Sequence, residues 1–127
     1  MPSNLKEISE GMLDCCEELT EINIPNSVEK IGKQAFNGCE KLTAISLPDN
    51  ISLIDEEAFR FCTNLQSINI PDNIKEIKDN IFERCNNLTR IEYKGKMYTS
   101  KTELINILKE NNVVISNDLF AGTSLAD

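Results

Sequence analysis

The chain has 127 residues, 40% hydrophobic and 27% charged, enough to bury the core of a single domain and too apolar for disorder. Its net charge is −8 with no basic patch to offset it, which speaks against nucleic acid and anionic membrane as partners. Histidine is absent, which removes Ser-His and Cys-His nucleophile pairs, His-ligated zinc and a histidine pH switch.

The first residues, Met1 to Glu7, contain no apolar core of a leader, so no signal peptide is expected in this chain. No apolar run approaches the ~20 residues of a membrane span, so membrane insertion is not expected. From Pro2 onward a period rules the sequence. Pro2, Pro25, Pro48 and Pro71 lie 23 residues apart, as do Cys16, Cys39, Cys62 and Cys85. The same step relates Leu19, Leu42, Leu65 and Leu88, and also Ile22, Ile45, Ile68 and Ile91. Further columns run Leu13, Phe36, Phe59, Phe82; Ile8, Ile31, Ile54, Ile77; and Leu5, Val28, Ile51, Ile74.

One unit is legible in order. Leu42 to Leu47 ends in apolar alternation, a short strand with one buried face. Pro48 cannot donate to a ladder and starts a corner, continued by Asp49-Asn50. Ile51 to Ile54 predicts a second extended side, and Glu56 to Phe61 a short helix or 3₁₀ turn. No unit buries its own apolar residues, so each column must stack on the next circuit.

The pattern breaks after Ile91. Glu92 to Tyr98 predicts a strand with a tight turn at Lys94-Gly95. Ser100 and Glu103 have capping-box spacing, and Leu104, Ile105 and Leu108 recur at helical spacing. This helix is expected to cap the terminal phenylalanine and leucine columns. Ile115 to Gly122 then matches Ile31 to Gly38 position by position, a partial fifth repeat, with Thr123 where cysteine stood. The chain thus divides into regular repeats over 1–93 and a helix-containing cap with partial repeat over 94–127, all in one domain. Beginning and stopping in mid-repeat suggests a piece of a longer array, or a small stand-alone protein whose open end is covered by something. The open first seam (Leu5, Ile8, Leu13, Leu19) needs a further repeat, a partner or a second subunit to cover it, so self-association through this end is an expected contact.

The motifs Leu-x-x-Ile-x-(Ile/Leu)-Pro and Ile-x-x-x-Ala-Phe-x-x-Cys, at this spacing over residues 1–93, resemble the BspA-like leucine-rich repeats of bacterial and protozoan cell-surface proteins. The resemblance implies an α/β repeat fold: a right-handed leucine-rich-repeat solenoid of about four 23-residue repeats, a capping helix and a partial fifth repeat. An apolar residue follows each turn asparagine directly, so a standard asparagine ladder is not expected.

The cysteine column reads as reduced, buried thiols, because stacked side chains point alike and cannot surround a tetrahedral zinc. An inter-repeat disulfide is the competing reading. Cys15 falls outside the column and is the expected exposed thiol. The acidic clusters Asp14, Glu17, Glu18 and Asp55, Glu56, Glu57 read as solvated faces; no metal, cofactor or catalytic residues are assigned. Stacked Lys6–Glu29 and Glu7–Lys30 predict ion pairs between circuits. Leu53 and Phe61 interrupt charged or small columns and are candidate partner anchors. The resemblance also implies that the strand surface binds; its outward positions are Glu21, Asn23, Ala44, Ser46, Ser67, Asn69, Arg90 and Glu92. The expected function is non-enzymatic protein binding, in adhesion or recognition, through that face or the Leu53/Phe61 patch. The alternative is a structural spacer, or a fragment of a surface array with no partner of its own. Location stays open: the resemblance implies the cell surface, whereas unpaired cysteines imply a reducing compartment.

Overall fold

A 23-residue period with two extended stretches per unit dictates a coil with two ladders. The computed structural model describes residues 1–116 and 118–127. Its strands are β1 (Glu7–Ile8), β2 (Lys30–Ile31), β3 (Ala44–Ile45), β4 (Leu53–Ile54), β5 (Ser67–Ile70), β6 (Glu76–Ile77), β7 (Arg90–Tyr93) and β8 (Lys96–Tyr98). Helix α1 (Lys101–Glu110) and strand β9 (Val114–Ile115) follow. The back sheet runs β1-β2-β4-β6-β9, all parallel. The front sheet runs β3-β5-β7-β8, parallel except for the last strand.

Register follows the sequence columns. Ile8, Ile31, Ile54 and Ile77 pair in succession across the back sheet, and Ile115 takes the fifth place. Each points inward and the residue before it points out, so a one-residue slip would expose the whole column. The phenylalanines stack face to face: Phe36–Phe59 at 5.1 Å, Phe59–Phe82 at 6.1 Å and Phe82–Phe120 at 6.2 Å between centroids. The core among the described residues is apolar, with no buried charged residue.

The stretch expected as a short helix or 3₁₀ turn is a run of tight turns, with bonds such as Asn37 N–H to Gln34 C=O and Arg60 N–H to Glu57 C=O spanning three residues, and is not a helix. Gly11, Gln34, Glu57 and Asn80 all have positive φ, as do Cys15, Gly38, Phe61 and Arg84, and both sets are 23-residue columns. The left-handed residues turn alternate N–H groups outward along the solenoid. Gln34, Phe36 and Gly38 thereby donate to the carbonyls of Glu56, Ala58 and Arg60 in the next circuit, and Glu57, Phe59 and Phe61 donate likewise to Asp79, Ile81 and Glu83. A helix would keep those donors within its own turn and leave the circuits unjoined there. Cys15 thus belongs to the Gly38/Phe61/Arg84 column rather than standing outside any register.

The cysteine column has a donor role. Cys39, Cys62 and Cys85 give their S–H to the carbonyls of Leu13, Phe36 and Phe59, at 3.3, 3.2 and 3.0 Å. Asparagines do the same from the corners: Asn50, Asn64 and Asn87 donate to Asn26, Glu40 and Thr63 carbonyls of the previous circuit. Side-chain ladders are therefore present, and Asn50, the turn asparagine followed directly by Ile51, takes part in one, contrary to expectation.

At the C-terminal end Lys94 and Gly95, with φ of 51° and 80°, make the hairpin turn between β7 and β8. Ser100 caps α1 by accepting from Glu103 N–H, as its spacing predicts. The helix buries Leu104 and Leu108 and links the end of the front sheet to the back sheet. It does not close the phenylalanine column, as was expected of it. Phe120 of the partial repeat does so, because an aromatic ring extends the stack that the insertion interrupts. The last residues return to the N-terminal end of α1, where Ser100 and Ala126 form a parallel bridge.

Candidate functional site

The front sheet carries the candidate site. Ala44, Ser46, Arg90 and Glu92 are exposed, and Ser67 and Asn69 are half-buried. Parallel pairing sets Ala44 beside Ser67 and Ser67 in turn beside Arg90, so short, uncharged side chains on β3 and β5 give way to charge at β7. Ser46, Ser67, Asn69, Glu92 and Met97 line a shallow depression of about 190 Å³.

Glu21 and Asn23 are exposed but do not lie on a strand, contrary to expectation. The first circuit has a neighbour on one side only, and its segment 19–24 does not join the front sheet. A second hollow of about 190 Å³, lined by Ile22, Asn23, Ile24, Asn26, Ser46 and Pro48, lies there. The ordered face therefore begins at Ala44.

Asn69 is occupied. Its carboxamide accepts from Leu47 N–H at 2.6 Å and donates to Leu47 C=O at 2.8 Å. This clip replaces the backbone ladder beyond β3 and explains why β3 is shorter than β5. Met97, by contrast, is 47% exposed and lies directly across from Glu92 on β8. Periodicity did not reveal it, because β8 is outside the repeat; the Lys94-Gly95 hairpin signal was the available clue.

Leu53 and Phe61 sit on different parts of the circuit. Leu53 lies on the back sheet, paired with Lys30 on one side and Glu76 on the other. Phe61 lies at the far end of the turn arc and is half-buried under guanidinium groups, Arg60 at 4.5 Å and Arg84 at 6.0 Å from its ring centre. Arg60 also pairs with Glu83 at 3.1 Å.

The acidic clusters are tied down rather than convergent. Asp14 accepts from the Asn37 amide, Asp55 from Glu56 N–H, and Glu57 from the Gln34 amide. Among the described residues no group of three His, Cys, Asp or Glu side chains is placed to hold a metal ion. The predicted pairs Lys6–Glu29 and Lys30–Glu7 form, at 3.7 and 3.3 Å on exposed surface. All five thiols are free, with Cys15 exposed and Cys39, Cys62 and Cys85 buried. Burial pushes the Cys39 thiol up to about 11. The hydrogen bond to Asp14 also raises Cys15, which suppresses its thiolate despite its exposure.

The sequence matches the family model of the BspA type leucine rich repeat region (6 copies) over residues 1–106. A leucine rich repeat protein of T. pallidum is 30% identical, with TM-score 0.68, over 75% of this chain and 50% of its own. A leucine-rich repeat protein from Bacteroides capillosus is 33% identical, with TM-score 0.65, over 72% of this chain and 64% of its own. A leucine rich cell surface protein from Faecalibacterium prausnitzii is 28% identical, with TM-score 0.59, over 76% of this chain and 31% of its own. The chain thus spans less than two thirds of each of these structures. No curated protein matches it significantly.

Proposed function

This chain belongs to the BspA-type leucine-rich-repeat family, and from that premise we propose that it is a non-enzymatic protein-binding module working through the front sheet. The observation that carries the reading is the strip Ala44, Ser46, Ser67 with exposed Met97 at its rim. Short side chains let a partner approach the sheet closely, and an exposed thioether beside them gives an adaptable apolar anchor. Arg90, Glu92 and Lys96 supply charge at one margin for orientation. The depressions are shallow, which suits a protein surface better than a small molecule. The cell-surface description of the Faecalibacterium relative supports an adhesion or recognition setting.

The test is capture from bacterial and host surface extracts with wild type and two folded variant sets. Ser46→Arg with Ser67→Arg should abolish capture of a specific partner. Leu53→Ser with Phe61→Ser should leave it intact, since Phe61 is occupied by arginine and Leu53 is on the other sheet. Loss only in the second set would move the site to the turn arc or back sheet. Absence of any partner would favour a spacer.

A further inference from the structure

Only one asparagine in the chain, Asn37, is followed by glycine. An Asn-Gly bond is where succinimide chemistry is least hindered, because glycine has no side chain to obstruct its own nitrogen. Here the dipeptide, in the second circuit, is held by the circuits on either side of it. The Asn37 amide donates to Asp14 Oδ1 at 2.9 Å, from the first circuit. Cys15 N–H donates to the Asn37 carbonyl at 2.7 Å, also from the first circuit. Gly38 N–H, the attacking group, donates to the Arg60 carbonyl of the third circuit at 2.8 Å. The Asn37 Oδ1 is buried without a partner.

We propose that Asn37-Gly38 is a latent deamidation site, locked by stacking and released when the first or third circuit separates from the second. In the reaction, Gly38 nitrogen loses its proton and bonds to Asn37 Cγ. The Cγ–Nδ2 bond breaks and ammonia leaves. Water then opens the imide, giving a carboxylate at position 37 on either the normal or the isomerised backbone. No other reactant is needed. The product carboxylate faces Asp14 where an amide stood, so attraction becomes like-charge repulsion. The isomerised backbone adds an atom and breaks the Cys15 and Arg60 contacts. Both products loosen the acidic first circuit, so the site acts as a one-way timer for that end of the solenoid.

The experiment incubates the full chain at mildly alkaline pH and follows residue 37 by peptide mapping that separates amide, aspartyl and isoaspartyl forms. Deamidation of the native chain should be slower than in urea by roughly tenfold or more, since it must wait for local opening. Asp14→Ala removes the partner of the amide and should speed the native reaction without changing the urea rate. Equal native and urea rates would overturn the lock. An Asp14→Ala variant that folds and deamidates at the wild-type rate would overturn the role of Asp14. Asn37→Asp should raise hydrogen exchange in the first circuit; unchanged exchange there would refute the timer.

Discussion

Gly32 shows how a single residue sets the spacing of circuits. A methyl group there would come within 2.7 Å of the Ile8 carbonyl oxygen and 2.8 Å of Glu10 nitrogen. Both are backbone atoms and cannot swing aside, so Gly32→Ala must push the first circuit from the second. The expected cost is about 1–3 kcal/mol in denaturant unfolding, the usual range for overpacking. Ser9, Asp55 and Lys78, in the same column, carry side chains, so only the tertiary contact singles out Gly32. The thiols give a second prediction at this scale. Burial pushes the Cys39 thiol from the ordinary 9.0 up to about 11 in the folded chain. The unfolded chain therefore releases its proton first, and stability is full below pH 9 and declines as pH rises toward 11. The slope from this thiol is about 1.4 kcal/mol per pH unit. Urea midpoints measured across that range should fall, and Cys39→Ala should make the fall shallower, leaving the part due to Cys62 and Cys15, whose thiols are also raised.

Among the elements, α1 is where local sequence rules apply most directly. Ser100 accepts from Glu103 N–H at 3.3 Å and donates to the Asp127 carbonyl at 2.9 Å. Ser100→Ala should cost about 1 kcal/mol, the worth of an N-cap, and should also free the terminal residues to exchange. Circular dichroism melts and exchange at Ala126 N–H would read the two effects. The turn arc is the opposite case. Its segment Glu56 to Phe61 has the composition of a helical turn, yet Glu57 and Phe61 take φ of 56° and 60°. Bonds to the next circuit outweigh local propensity, and a reading of one unit alone cannot include its neighbours.

At the scale of the whole molecule, stability is a sum over circuits and the interfaces between them. Interior circuits are covered on both sides. The first has Leu5, Leu13, Leu19 and Ile22 only partly buried, Met1 and Met12 exposed, and no strand in the front sheet. Native-state hydrogen exchange should therefore be fastest in residues 1–24 and slowest in the circuits holding Phe36, Phe59 and Phe82, whose rings form the continuous stack. Uniform protection along the chain would contradict nearest-neighbour stability. Surface ion pairs such as Lys6–Glu29, whose side chains are more than half exposed, add little, and high salt should leave the gradient in place.

The period alone determined which residues face inward, because a column of Ile, Leu, Phe or Cys can leave water only by stacking on its own kind in the next circuit. That placed the core, both sheets, the ion pairs and the partial fifth repeat. The cap was half legible: spacing located α1 and the hairpin and set Phe120 in register with Phe36, but packing showed that Phe120 rather than α1 continues the stack on Phe82. The candidate site was legible from Ala44 to Glu92, where strand alternation holds. It was misread at Glu21 and Asn23, because the segment 19–24 does not pair with β3 and the front sheet starts one circuit later. Met97, the clip of Asn69 on Leu47, and the guanidinium cover over Phe61 were decided by tertiary structure alone. Each depends on which side chains meet across circuits, a distance no spacing in the sequence records.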